Sequence, residues 1–79
     1  MKSFGVIVLT LVSCAPASVP EDDYRQALST RDSREAIRLL DRAIAAEPRA
    51  DYYVERARLR LALQDPRAAL ADYSAAIAL

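Results

Sequence analysis

One thiol, no imidazole and a single glycine leave this chain few ways to do covalent chemistry. The thiol is Cys14, the glycine is Gly5, and none of the 79 residues is a histidine. Without an imidazole there is no ordinary neutral-pH base to activate a nucleophile, and one glycine cannot build a loop whose amides cradle phosphate. A lone cysteine also forms no disulfide within the chain. Two charge clusters remain. Glu21-Asp22-Asp23 places three carboxylates in succession, where they could hold a cation. At a helix start, however, acidic side chains serve chiefly to face the positive end of the helix dipole. Arg34, Arg38 and Arg42 recur at i, i+4 spacing and form a basic row, flanked by Glu35 and Asp41. Such a row is either a docking stripe or a solvated face. Neither cluster points to catalysis: no enzyme activity, catalytic residue, cofactor, metal or small-molecule substrate is expected.

The elements that position these groups begin with the leader. Met1-Lys2-Ser3 is followed by an apolar run from Phe4 to Val12. A membrane-crossing helix needs roughly 20 apolar residues, so the run is too short to span, but it has the length and basic start of a secretory signal. It ends in Leu11-Val12-Ser13-Cys14, which resembles the lipobox of bacterial lipoproteins. The resemblance implies that residues 1–13 are removed, that the Cys14 thiol receives diacylglycerol, and that the new amino terminus is acylated. The protein would then be exported and lipid-anchored in the cell envelope, with the membrane as a partner through Cys14. Ala15 follows the cysteine where inner-membrane lipoproteins of Gram-negative bacteria carry aspartate, so an outer-membrane address facing the periplasm is expected before an inner-membrane one. Two other readings stay open. The general signal peptidase could cut after Ala15-Pro16-Ala17, or the apolar run could be a buried strand, although no later segment offers a strand to pair with it.

Eleven basic and eleven acidic residues cancel. That balance excludes a nucleic-acid partner held by phosphate neutralisation and gives no polybasic patch for acidic lipid headgroups. Residues 14–20 read as the lipidated cysteine and a short linker, because Pro16 and Pro20 interrupt regular structure. From Glu21 onward Ala, Leu, Arg and Glu dominate without glycine, a composition of good helix formers. The signals predict four helices. Pro20 suits a first helical position, with the first helix reaching about Ser29. Asp32-Ser33-Arg34-Glu35 has the spacing of a capping box and starts a second, from about Ser33 to Ala46. Pro48 disfavours helix at Glu47. A third helix is expected over about 51–63, and Asp65-Pro66 starts a fourth.

The fold class expected is all-α. Ala36, Leu40, Ala43 and Ile44 recur as Ala69, Tyr73, Ala76 and Ile77, each shifted by 33 residues, and the caps Asp32 and Asp65 share that shift. Over residues 21–79 this pattern resembles the tetratricopeptide repeat, an antiparallel helix–turn–helix solenoid, here about one and a half to two repeats. Tyr53, Arg56-Ala57 and Arg60 stand where that family places an aromatic, Leu-Gly and Tyr. Ala36 with Leu40, and Ala69 with Tyr73, match its Ala-x3-aromatic, and Pro48 matches its inter-repeat proline. The two arginines depart from the pattern and would have to bury their stems while their heads reach water. Tyr53, Leu40 and Tyr73 are expected to fill gaps left by the alanines.

The resemblance implies that first helices line a concave, ligand-facing surface. On the third helix that surface maps to Asp51, Val54, Glu55, Arg58, Leu61 and Ala62, with Val54, Arg58, Leu61 and Ala62 as the candidate groove for a protein or peptide partner. Because solenoid repeats bury their apolar faces only by stacking, the chain is expected to be the amino-terminal part of a longer protein. The leading functional expectation is a membrane-anchored interaction or scaffolding module. A self-associating structural lipoprotein and the leader segment of a larger enzyme are the alternatives.

Overall fold

A computed structural model describes residues 19–79. They form four α-helices and no strand: α1 (Pro20–Ser29), α2 (Ser33–Ala46), α3 (Ala50–Ala62) and α4 (Pro66–Ala78). The leader, Cys14 and most of the linker lie outside the described residues. No described helix is long and apolar enough to cross a membrane.

Each boundary has a local cause. Val19 is extended before Pro20, whose fixed φ and missing amide suit a helix start. Glu21, Asp22 and Asp23 then occupy the acidic first turn. At α2, the Asp32 carboxylate accepts from the amides of Arg34 at 3.0 Å and Glu35 at 3.4 Å. The reciprocal half of the capping box does not form, because the Glu35 carboxylate turns to Arg38 in two bonds of 3.1 and 2.6 Å. Glu47 is extended (φ −156°, ψ 105°) ahead of Pro48, which ends α2. α3 begins and ends one residue before the expected 51–63. Asp65 accepts from the Ala68 amide at 3.3 Å and Pro66 opens α4.

Each helix packs on the next: α1 on α2, α2 on α3 and α3 on α4. The three-residue connections make successive helices fold back on one another. Ala27, Ala36, Leu39, Leu40, Ala43 and Tyr52 form one buried cluster, with Tyr24, Ile44 and Leu59 packed against it. Alanine at three of those six sites lets the helix axes approach closely, and Leu40 and Tyr52 supply the bulk. Burying the Leu40 side chain alone stabilises by about 1.5–3 kcal/mol. Ala57 and Ala69 are also buried. Among the expected gap fillers, Leu40 is fully buried, whereas Tyr53 and Tyr73 are only half-buried. The deep aromatic on α3 is Tyr52, one residue earlier than expected.

Candidate functional site

The candidate groove residues on α3 lie on an exposed strip. Val54 is 38% and Leu61 46% exposed, with Arg58 and Ala62 also exposed. Residues 54, 58, 61 and 62 share this side because helical spacing stacks i, i+4 and i+7. Arg58 is tied down within its own helix: its Nη1 donates to Glu55 at 2.7 Å, and that carboxylate is the less exposed partner. Asp51 heads the strip and accepts both from the Tyr52 amide at 3.1 Å and from Arg49 at 3.2 and 3.3 Å. That bidentate contact holds the Arg49 guanidinium more firmly protonated than usual.

An aromatic pair joins this strip to α1. The rings of Tyr24 and Tyr52 are 5.0 Å apart and tilted by 37°, and the Arg49 guanidinium sits 5.3 Å from the Tyr52 ring centre. Burial pushes the Tyr24 phenol above its ordinary pKa, and the negative charges of Asp51 and Glu55 add to the shift while Arg49 and Arg58 oppose it. Tyr24 therefore sits within the field of the α3 charges and belongs to the same surface. Sequence reasoning missed it. The available signal was an aromatic one turn before Ala27 on the same helix.

The strip rests on a charged brace. The Asp72 carboxylate, nearly fully buried on α4, accepts from Arg56 Nε at 3.1 Å, from Arg56 Nη2 at 2.8 Å and from Arg60 Nη1 at 2.9 Å. Arg56 Nη1 also donates to Asp41 on α2 at 2.6 Å, and its guanidinium lies 5.4 Å from the Tyr53 ring centre. Bonding to Asp72 and Asp41 raises the Arg56 pKa against the lowering effect of burial. The arginine heads expected to reach water instead meet carboxylates, and α2, α3 and α4 are bound together through one side chain.

Both charge clusters singled out in the sequence are largely spent on the fold. Asp22 lies 3.8 Å from Arg25, and Asp23 is buried 3.6 Å from Arg42. Among the described residues no group of three or more ligating side chains could hold a metal. Of the arginine row, Arg38 pairs with Glu35 and Arg42 with Asp23, which leaves Arg34 apart from the others. Cys14 and the preceding Leu11, Val12 and Ser13 lie outside the described residues.

No protein-family model, curated protein or solved structure matches the chain.

Proposed function

We propose that this chain is an envelope lipoprotein, anchored through lipid on Cys14, whose α1–α3 surface binds a protein or peptide partner. In this reading the helices are tetratricopeptide-like units, and Val54, Arg58, Leu61 and Ala62 together with Tyr24 form the contact strip. The observation that carries the binding half is the exposure of Val54 and Leu61 on either side of Arg58, on a helix whose opposite side is held by the Arg56–Asp72 brace. Exposed aliphatic side chains flanking a planar guanidinium suit a partner that offers an apolar group beside a carboxylate or free carbonyl. The anchoring half is supported by Leu11-Val12-Ser13-Cys14 at the end of a short apolar run. Lipid tethering needs two acyl chains or more to be stable, which diacylglycerol on Cys14 supplies. The proposed address is the outer membrane, facing the periplasm.

One observation favours a second reading, self-association: Leu70 is 66% and Ile77 85% exposed on α4. Bacterial expression of the full chain, followed by fractionation and cross-linking, tests both. Wild type should be acylated at Cys14 and stay with membranes, and Cys14→Ser should release it. Arg58→Glu should abolish a specific heterologous cross-link while helicity is kept. An unmodified mature chain beginning at Ser18 overturns the anchor, an unchanged cross-linking pattern removes Arg58 from the site, and cross-links only between copies favour self-association.

A further inference from the structure

The unused arginine of the α2 row lines a cavity on a different part of the molecule from the α3 strip. A cavity of about 350 Å³ opens where the first turns of α2, the last turn of α3 and the cap of α4 meet. Its walls are Arg34, Ile37, Arg60, Leu63 and Asp65. The size is at the lower end for small-ligand pockets, which run from about 300 to 1,000 Å³ and combine apolar walls with a few converging polar groups. Ile37 and Leu63 are half-buried and provide the apolar walls.

The polar groups are unevenly committed. Among the described residues Arg34 forms no ion pair, unlike its row-mates Arg38 and Arg42. Arg60 spends Nη1 on Asp72, and a guanidinium carries five N–H donors. The one acid of the lining, Asp65, uses Oδ1 to cap the Ala68 amide of its own helix. Two guanidiniums thus face one carboxylate that is already engaged, beside two aliphatic side chains. We propose that this cavity binds a small organic acid: a single carboxylate on a short branched aliphatic body. Arg34 takes the carboxylate through its planar fork, Arg60 adds a second positive charge, and Ile37 and Leu63 cover the body. A neutral analogue of the same shape loses the charge-assisted bonds, and a bare small anion loses the apolar contact, so both should bind worse than the acid.

The test uses the full chain in neutral detergent micelles, with amide NMR shifts followed during titration by isocaproate, isocaproamide and acetate. The expected result is saturable shifts with isocaproate, centred on Arg34, Ile37 and Leu63, and at most feeble ones with the other two. Arg34→Gln should weaken isocaproate by about tenfold, the factor equivalent to about 1.4 kcal/mol, while the spectrum otherwise keeps its dispersion. Arg34→Lys should retain part of the affinity, and Leu63→Asn should weaken isocaproate while leaving acetate unchanged. Equal responses to isocaproate and acetate would mean general anion attraction and overturn the proposal. So would equal responses to the acid and its amide, shifts centred on α1 or the α3 strip, or an unaltered titration in Arg34→Gln.

Discussion

At the scale of single residues, two buried polar groups decide more than the surface charges do. Among the described residues the Tyr52 hydroxyl is buried without a hydrogen-bond partner, and an unmet buried polar group costs about 1–3 kcal/mol. Tyr52→Phe removes that cost while keeping the ring against Tyr24 and under Arg49, so it should stabilise the fold by about 1 kcal/mol in urea unfolding. Burial also raises the Tyr52 pKa above the ordinary 10.0. The folded form therefore favours the protonated phenol: its contribution is fully present below the unfolded value and is lost as pH rises through the raised folded value. Wild type should lose stability in alkali above about pH 10, and Tyr52→Phe should lose less. Equal alkaline losses would mean that Tyr52 ionises freely in the folded chain. Asp72 has the opposite character, being buried but answered by two arginines. Asp72→Ala should cost about 3 kcal/mol, the low end for breaking a buried pair, since Arg56 and Arg60 keep side-chain exposures of 16% and 26%. Replacing Arg56, Arg60 and Asp72 together by aliphatic residues should cost much less. A small loss for Asp72→Ala alone would show that water takes over the brace.

At the scale of elements, the helices were legible because their ends are written in local chemistry. Pro20, Asp32, Pro48 and Asp65-Pro66 act within a turn of themselves, and α1 and α2 have the bounds those residues predict. What was not legible depends on meetings between elements. Nothing in the spacing of Arg56 and Arg60 reveals that Asp72, on the next helix, lies between them. Tyr52 and Tyr53 are adjacent in sequence but about 100° apart around a helix, so placing the deep ring one residue late turned the reading toward the wrong aromatic. The strip itself was legible, since helical spacing alone gathers Val54, Arg58 and Leu61, whereas Tyr24 joins it only through the α1–α3 contact. The left-handed turn that ends α3 gave no signal because the position that wants glycine holds Gln64. Its φ is +64°, and the Asp65 amide donates to Arg60 O at 2.8 Å while the Gln64 amide donates to Leu61 O at 2.9 Å. Those two bonds make a Schellman ending, whose left-handed residue is usually glycine. Gln64→Gly should therefore raise stability by up to about 1 kcal/mol, read as a higher thermal midpoint. A lower midpoint would mean that the unfolded-state entropy added by glycine outweighs the relieved strain.

At the scale of the whole molecule, α2 and α4 carry the same small-and-large spacing but meet different surroundings. α2 lies between α1 and α3, whereas among the described helices α4 packs substantially on α3 alone. Ile44 accordingly packs against the core cluster, while Ile77 is 85% exposed. Leucine and isoleucine side chains scattered singly on a surface need no explanation, but Leu70 and Ile77 are two turns apart on one side of α4 and form a patch. Uncovered, that patch contributes nothing to the fold, since apolar side chains stabilise only by leaving water. This difference has a direct consequence for paired substitutions in the full chain. Ile77→Lys should change thermal stability by no more than about 0.5 kcal/mol, as exposed substitutions generally do. Ile44→Lys should cost about 2 kcal/mol, because it removes packing and brings a charge to the edge of the core. Sedimentation at rising concentration completes the comparison: if the α4 patch drives contacts between copies, Ile77→Lys should lower the association of wild type without altering its melting when dilute. Should Ile77→Lys instead unfold the dilute chain as severely as Ile44→Lys, the outer side of α4 would have to be covered within the molecule itself. α4 would then not be an uncovered helix.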